Sequence, residues 1–300
     1  MTPPPVPTLT VLGSTNMDLV VYVAKAPAGG ETVSGRSFTT VPGGKGANQA
    51  IAAARAGADV TMIGAVGADS FGLQLRAALE HSGVDTNSLR TSEGPSGTAH
   101  IVVDDDGGNS IVVIPGANGT VTGLSPGDET VISQAHALLL QLELPLSAVT
   151  EGAEAARRHG VRTILTPAPA TTIPAELFAA TDLLVPNEHE AAALTGLHDP
   201  LLAARALLEH VPAVVVTLGA AGCAYVSRDT PDPLFVPAVP ATPVDTTAAG
   251  DTFVGALAVA LAEGRPLHDA LPWASAAAAL SVQRPGASTS MPYRQEIDAL

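Results

Sequence analysis

A single acidic residue follows a run of small residues in the stretch DTTAAGDTFVGA, just where an apolar helix is predicted to begin. Asp251 is a good helix-capping residue, so capping alone can explain its position. Alternatively, Ala248, Ala249 and Gly250 keep side chains away from an anion that their backbone N–H groups and the helix dipole would hold. Asp251 would then do chemistry beside that anion.

Two further polar pairs follow predicted strands. In GSTNMDLV, Asn16 and Asp18 are two residues apart, so both side chains can point the same way from an extended backbone. A carboxylate with an amide suits a polyhydroxyl ligand, although such a pair can also cap a turn. In VPNEHEA, Asn187 precedes Glu190 by three residues. This spacing fits either a capping box or a pair that organises the waters of a phosphate-bound Mg²⁺.

Glycine-rich stretches follow two other strands. PGGKGANQA is not a phosphate loop, because no Ser or Thr follows Lys45. Its glycines still allow close approach of a ligand, and Asn48 lies in the first turn of the helix that they open. The glycines of TLGAAG (217–222) fit either a tight turn or a nucleotide that lies across the turn.

Composition excludes several classes of function. The 300 residues include 14 basic and 29 acidic ones, giving a net charge of −15, and there is no basic block. We therefore expect neither a nucleic-acid nor an anionic-membrane surface. The single Cys and eight His without metal-ligand spacing argue against a disulfide and a zinc site. Neither a signal peptide nor an apolar run of roughly 20 residues is evident, so we expect a cytoplasmic protein.

The alternation of short β-rich runs with Ala-rich helical runs predicts a parallel sheet with helices on both faces. Ligands of such sheets bind beyond the carboxyl ends of the strands. The predicted strands are Thr8–Leu12, Val60–Val66, Ala137–Leu142, Arg162–Thr166, Leu183–Pro186 and Ala213–Leu218. The predicted helices are 46–56, 71–82, 147–159, 188–195, 200–210, 251–262 and 267–282.

Two β-rich segments interrupt this alternation. Residues 17–42 and 93–118 alternate apolar and polar residues around Gly-rich turns, and DDDGGNS predicts a hairpin. We expect a small sheet standing off an α/β domain made of residues 1–16, 43–92 and 119–300. This sheet would be a lid over the strand ends or an edge extension of the main sheet, and we favour the lid.

In their order along the chain, these motifs resemble the ribokinase-like (PfkB-type) family of sugar kinases, from Leu9 to about Ile297. Each motif is weak alone, whereas the ordered set is specific. The resemblance implies a Rossmann-like α/β fold whose β lid often pairs with that of a second subunit, and hence a homodimer. The stretches that carry it are GSTNMD, GGETVSG, PGGKGANQA, IGAVGADSFG, PGAN, LLLQLELP, TPAPA, VPNEHEA, TLGAAG, VDTTAAGDTFVGA and QRPGASTSMP.

The resemblance also implies ATP-dependent phosphorylation of a sugar hydroxyl, with D-ribose and its 5-hydroxyl favoured. Asp251 matches the catalytic base, and the anion hole is matched by Ala248, Ala249 and Gly250. The sugar contacts are matched by Asn16, Asp18, Gly44, Lys45, Asn48, Glu143 and Asp251. The nucleotide and Mg²⁺–phosphate side is matched by Asn187, Glu190, Thr217, Gly219, Gly222, Gly250 and Ser275. A K⁺ site, in part made of backbone carbonyls, is matched by Asp245, Thr247, Ser281, Arg284, Gly286 and Ser290.

Two positions depart from the family pattern, and two alternative functions remain open. Thr166 stands where Asn is usual, and Ser275 stands where a His or Asn near the adenine is usual, which puts that adenine contact in doubt. The substrate could be deoxyribose, fructose or a nucleoside, although the polar set favours a small free sugar. A non-catalytic sugar-binding protein on the same scaffold would be free to lose Asp251.

Overall fold

The computed structural model describes residues 6–106, 108–230 and 232–300. The first five residues and Gly107 of the predicted hairpin turn lie outside this description. The strands are β1 (Thr8–Leu12), β2 (Asn16–Tyr22), β3 (Ser37–Gly43), β4 (Asp59–Gly67), β5 (Val84–Asp85), β6 (Leu89–Ser92), β7 (Gly97–Val103), β8 (Asn109–Ile114), β9 (Ala137–Leu140), β10 (Arg162–Leu165), β11 (Leu183–Leu184), β12 (Ala213–Thr217), β13 (Cys223–Ser227) and β14 (Leu234–Val236). The helices are α1 (Lys45–Arg55), α2 (Ser70–His81), α3 (Asp128–Ser133), α4 (Leu146–Arg158), α5 (Ala175–Ala179), α6 (Glu188–Thr195), α7 (Pro200–Leu207), α8 (Ala249–Ala262), α9 (Leu267–Ser281) and α10 (Arg294–Ile297).

The main sheet has the strand order β14-β13-β12-β11-β10-β9-β1-β4-β5, with β6 also paired to β4. Pairing is parallel from β12 through to β5, whereas β13 and β14 add an antiparallel edge. Along β9, Leu139 belongs to the apolar cluster with α1, α8 and α9, while Leu138 and Leu140 belong to the cluster with α4 and α7. The predicted α/β fold with helices on both faces is therefore confirmed.

The six predicted strands and seven predicted helices all occur, with ends displaced by up to three residues. The helix predicted from Asp251 begins two residues earlier, at Ala249. The prediction omitted short elements, namely α3, α5, α10, β5, β6 and β14. Elements of two to six residues span too few turns or alternations to show a periodicity. Within the described residues, no helix is both long and apolar enough to cross a membrane.

The second sheet has the order β3-β2-β7-β8 and draws its strands from the two predicted β-rich segments. The predicted hairpin is present, because β7 and β8 pair antiparallel from Val103–Asn109 to Thr98–Ile114. At the other end of the sheet Asn16 pairs with both Gly43 and Gly97. Since Asn16 lies only a few residues beyond the end of β1, the small sheet starts at the carboxyl edge of the main sheet.

Candidate active site

The start of α1 packs directly on the turn between β1 and β2, and glycines permit the contact. A Cβ on Gly44, where φ is 93°, would lie 2.7 Å from the backbone nitrogen of Asn16. A Cβ on Gly46 would lie 2.5 Å from the nitrogen of Ser14. The Gly-rich motif therefore brings the first turn of α1 against the carboxyl end of β1.

Asp251 lies in the first turn of α8, but it does not cap that helix. The N-cap residue is Ala248, which has a left-handed φ of 58°, and its methyl group cannot accept a hydrogen bond. The capping explanation for Asp251 is therefore wrong. Its side chain is buried, and its two oxygens accept hydrogen bonds across to α1, from Asn48 Nδ2 and Gln49 Nε2, both at 3.1 Å.

Lys45 lies among four carboxylates drawn from different parts of the fold. Burial disfavours its positive charge, but Asp251, Glu143, Glu190 and Asp18 together raise its pKa. These acids come from α8, the segment after β9, α6 and β2. Residues predicted separately as sugar and phosphate contacts thus share one electrostatic environment.

Burial in this environment raises the pKa of three of these acids, Asp18, Glu190 and Asp251. Burial, then the nearby Glu143 and Asp251, raises the pKa of Asp18 to about 7, and Lys45 opposes the shift. Burial likewise raises the pKa of Asp251, against the opposite effects of Lys45 and the two amides from α1. A carboxylate with a raised pKa in a buried site is better placed to accept a proton near neutral pH than an exposed one.

Glu143 ties the segment after β9 to the start of α1. One of its oxygens, Oε2, accepts a hydrogen bond from the Lys45 backbone N–H at 2.9 Å and another from the Ser14 hydroxyl. The two contacts fix the carboxylate beside β1. The predicted sugar set of Asn16, Asp18, Gly44, Lys45, Asn48 and Glu143 therefore converges with Asp251 on one end of the sheet.

Asn16 and Asp18 lie in the strand β2, so the explanation that they cap a local turn is wrong. The Asn16 side-chain oxygen accepts a hydrogen bond from Asn118 Nδ2 at 2.8 Å. Asn118 is itself fixed, because its Oδ1 accepts from the Thr15 N–H and its Nδ2 donates to the Thr15 carbonyl. The amide nitrogen of Asn16 is left to donate elsewhere.

The three predicted anion-hole amides differ in their partners. The Ala249 N–H donates to the Thr246 carbonyl at 3.2 Å. Among the described residues, the N–H groups of Ala248 and Gly250 have no protein acceptor. A Cβ on the exposed Gly250 would meet nothing within 4 Å. Two of the three amides are therefore free to bind an anion at the start of α8.

On the predicted nucleotide side, Asn187 and Glu190 do form the capping box of α6. The Glu190 N–H donates to Asn187 Oδ1 at 2.8 Å, and the Asn187 N–H donates to Glu190 Oε2 at 2.9 Å. Asn187 also forms an isolated bridge with Thr217, at the end of β12. The local cap accounts for the spacing, and it leaves Glu190 Oε1 available; burial raises the pKa of this carboxyl.

In the turn after Thr217, close packing requires glycine at only one of the two glycine positions. A Cβ on Gly222, where φ is 99°, would lie 2.1 Å from the Val236 carbonyl oxygen, so packing against β14 requires glycine. Gly219, with a φ of 54°, has open space around it instead. Ser275 is buried on α9 near the Cys223 thiol, whose pKa burial raises to about 11.

The predicted K⁺ positions lie in two adjacent segments. The Asp245 carboxylate joins them, because Oδ1 accepts from the Thr247 N–H and Oδ2 from the Gly286 N–H, both at 2.9 Å. These bonds lower the Asp245 pKa, although partial burial opposes them. Ser281 and Ser290 are buried and donate to carbonyls of their own segments, while Arg284 pairs with Glu296.

Sequence reasoning passed over several side chains that hold this site together. Gln49 and Gln141 are fully or almost fully buried between Asp251 and the strand ends, and Ser14 and Asn118 orient Glu143 and Asn16. All four lie inside motifs of the family pattern, namely PGGKGANQA, LLLQLELP, GSTNMD and PGAN. Their partners are roughly 90 to 200 residues away in sequence, so local patterns could not identify them.

The fold and the site together define a class of sugar kinase. The family model described as "pfkB family carbohydrate kinase" matches residues 6–294, and the chain belongs to this family. It is 43% identical to a ribokinase of Bacillus subtilis, over 97% of this chain and 98% of the relative. It is 41% identical to a ribokinase of Schizosaccharomyces pombe, over 97% and 96%. The structure of Arabidopsis thaliana ribokinase complexed with ribose and ATP is similar, with a TM-score of 0.92 and 36% identity over 98% of both chains.

Proposed function

We propose that this chain transfers the γ-phosphoryl group of ATP to the 5-hydroxyl group of D-ribose, giving D-ribose 5-phosphate and ADP. The observation that carries the proposal is the buried Asp251 carboxylate, which lies beside Lys45 and the free amides at the start of α8. The similarity to ribokinases over nearly the whole chain supports ribose as the acceptor and ATP as the donor.

The sugar would bind at the carboxyl edge of the main sheet, among the polar side chains that converge there. Asn16 offers amide N–H donors, because Asn118 occupies its oxygen. Asp18 and Glu143 offer carboxylate acceptors, and each can take more than one hydroxyl. This mixture of donors and acceptors suits a small polyhydroxyl ligand better than an apolar nucleobase.

Asp251 would act as the general base. The ionised carboxylate removes the proton of the 5-hydroxyl group while that oxygen attacks the γ-phosphorus and the bond to the leaving ADP oxygen breaks. General base catalysis typically contributes about 10²–10⁴-fold to a rate. The free N–H groups of Ala248 and Gly250 would stabilise charge on the transferred group, and one such donor can contribute about 3–4 kcal/mol.

The residues present fit a Mg²⁺ held by nucleotide phosphates rather than by a protein cage. In the described part of the chain, no group of three or more His, Cys, Asp or Glu could hold a metal directly. Mg²⁺ keeps several waters, which Glu190 and Asn187 would orient from the start of α6. Bound there, the ion would neutralise phosphate charge.

The two segments joined by Asp245 fit K⁺ in a similar way. The Asp245 carboxylate brings together the segments that carry Thr247 and Gly286, and the backbone carbonyls of these segments are oxygen donors of the kind that hard cations prefer. Since this group adjoins residues 248–250, a bound K⁺ would add positive charge beside the proposed anion hole.

The small sheet fits the roles of a lid and of a dimer contact. One end of it lies at the carboxyl edge of the main sheet, where Asn16 and Asp18 project toward the proposed sugar site. Its outer strand β8 is exposed along its whole length, including Ile111, Val112 and Val113. An unpaired apolar edge of this kind is a surface that a second copy could cover.

A coupled assay of ADP release tests the proposed function. The purified chain is offered ATP and Mg²⁺ with D-ribose, deoxyribose, fructose or a nucleoside, with K⁺ and with Na⁺ in its place. We expect turnover to be highest with ribose and to be stimulated by K⁺, and we expect phosphate at the 5-position in the product. ADP release with another sugar alone would reassign the substrate, and ribose binding without any ADP release would indicate a non-catalytic protein.

A further inference from the structure

The Asp251 carboxylate is held by a buried side chain that no sugar or nucleotide role accounts for. Gln49 follows Asn48 on α1 and is fully buried. Its Nε2 donates to Asp251 Oδ1 and to the Thr166 hydroxyl, both at 3.1 Å. Its Oε1 accepts from Gln141 Nε2 at 2.7 Å. Both amide hydrogens and the amide oxygen of Gln49 therefore have partners.

These partners fix which end of the Gln49 amide faces Asp251. A carboxylate only accepts hydrogen bonds, so it requires the Gln49 nitrogen, and the Gln49 oxygen is then placed to accept from Gln141 Nε2. Turning the Gln49 amide over would set its oxygen against the carboxylate oxygen of Asp251. The Gln49 amide is consequently held with its nitrogen donating to the Asp251 carboxylate.

We propose that Gln49, hydrogen-bonded to Gln141 and Thr166, is a positioning residue that keeps the Asp251 carboxylate in its proton-accepting, ionised form. This inference rests on the proposed function, in which Asp251 is the general base. A buried carboxyl group favours its neutral form, and a hydrogen bond donated to the charged form opposes that preference. The inference also gives Thr166 a role, as the acceptor for the second amide hydrogen of Gln49.

Other charges around Asp251 do not replace Gln49. Lys45 faces it from α1, Glu143 from the segment after β9, Asp18 from β2 and Glu190 from α6. Only Lys45 is positive among these, and it is shared by all four acids. Since the four groups stay in place in every variant below, a difference between variants reports on the glutamine network.

The first test is the pH dependence of kcat for Gln49→Leu at saturating ribose and ATP. Leucine is close in size but donates no hydrogen bond, so the acid limb of the profile should move up by about one pH unit. On the alkaline plateau kcat should return close to the wild-type value, and KM for ATP should not change. An equal loss of kcat at every pH would overturn the proposal.

Two threonine-to-valine substitutions, one on β10 and one just after it, provide a second and milder test. Thr166→Val removes the hydroxyl that accepts from Gln49, so the acid limb should move in the same direction by a smaller amount. Thr163→Val is the same change three positions earlier, at a fully buried hydroxyl without a hydrogen-bond partner among the described residues. The Thr163 variant should leave the limb unchanged, and equal shifts in both variants would contradict the proposal.

The Asp251 pKa can also be followed without catalysis, by ¹³C NMR of labelled carboxyl groups in the free protein. The proposal predicts a higher pKa in Gln49→Leu and in Thr166→Val than in Thr163→Val, and an unchanged pKa would overturn it.

If the wild-type chain forms no ADP with ribose, the proposed function fails while this measurement still decides the role of Gln49. If Gln49→Leu does not fold, the comparison of Thr166→Val with Thr163→Val decides that role instead.

Discussion

At the scale of single residues, the local sequence allows two explanations, capping or function, for most residues of the site. Tertiary contacts decide between these explanations. Asp251 could have been a cap or a reactive group, and only the left-handed Ala248 and the hydrogen bonds from α1 exclude the cap. For Asn187 and Glu190 the capping explanation is correct, because the two residues form the capping box of α6. The proposed phosphate role must therefore be compatible with these capping hydrogen bonds. Spacing identified these residues but could not determine where their side chains point.

The raised pKa of Asp18 predicts that ribose affinity depends on pH. Its pKa of about 7 means that the side chain is largely neutral below that pH and ionised above it. The ionised form accepts two sugar hydroxyls, so ribose affinity should rise as the pH rises through 7, by up to about tenfold per pH unit below the pKa. Isothermal titration calorimetry between pH 5.5 and 8.5 measures this dependence.

The control for this prediction is Asp18→Asn, which has the same size and no charge to titrate. It should bind ribose more weakly at pH 8 and should show a flatter pH dependence than the wild type. If the variant keeps the wild-type slope, another of the four acids around Lys45 is responsible. Glu190 and Asp251, whose pKa values burial also raises, are then the groups to test.

At the scale of elements, sequence periodicity was sufficient for the main sheet and its larger helices. Runs such as ALLL in β9 are buried on both faces and therefore read as continuous apolar strands. The β-rich segments were found through their alternation and their turns. Periodicity could not predict the contact between α1 and the turn after β1. This contact depends on the absence of a side chain at Gly44 and Gly46 rather than on a repeating pattern.

Gly46→Ala tests whether this contact positions the site. Alanine favours a helix over glycine by about 1 kcal/mol, so propensity alone predicts a gain in stability. The new Cβ would instead lie 2.5 Å from the Ser14 nitrogen, so α1 must move away from β1. We expect the free energy of unfolding in urea to fall by about 1–3 kcal/mol and ribose affinity to weaken. Gly29→Ala, where a Cβ meets nothing within 4 Å, should change neither.

At the scale of the whole molecule, the small sheet carries both Asn16 and Asp18 and the exposed strand that we propose as a dimer contact. Its edge strand β8 exposes consecutive apolar residues, and Phe38 on the opposite edge strand β3 is also largely exposed. The sequence suggested a stand-off sheet through its hairpin, but exposure of the strand depends on its being an edge, which only the strand order reveals. The resemblance to the sugar-kinase family supplied the expectation of a dimer.

Val112→Asp tests the homodimer. Val112 is 61% exposed on β8, so an aspartate there should leave the subunit folded while placing a charge in the proposed interface. We expect the wild type to sediment as a dimer at micromolar concentration and the variant as a monomer. Leu202→Asp is the matched control, since Leu202 is 55% exposed on the distant helix α7 and should leave the dimer intact. A monomeric wild type would contradict the dimer proposal.

The proposed mechanism depends on removal of the sugar hydroxyl proton by the Asp251 carboxylate. Asp251→Asn keeps the size of the side chain and removes the basic oxygen, so the most direct measurement is kcat for ribose phosphorylation beside ribose affinity in the same variant. We expect a loss of about 10²–10⁴-fold or more in kcat, with ribose affinity and the unfolding transition close to those of the wild type. A variant that binds ribose and turns over at the wild-type rate would contradict it.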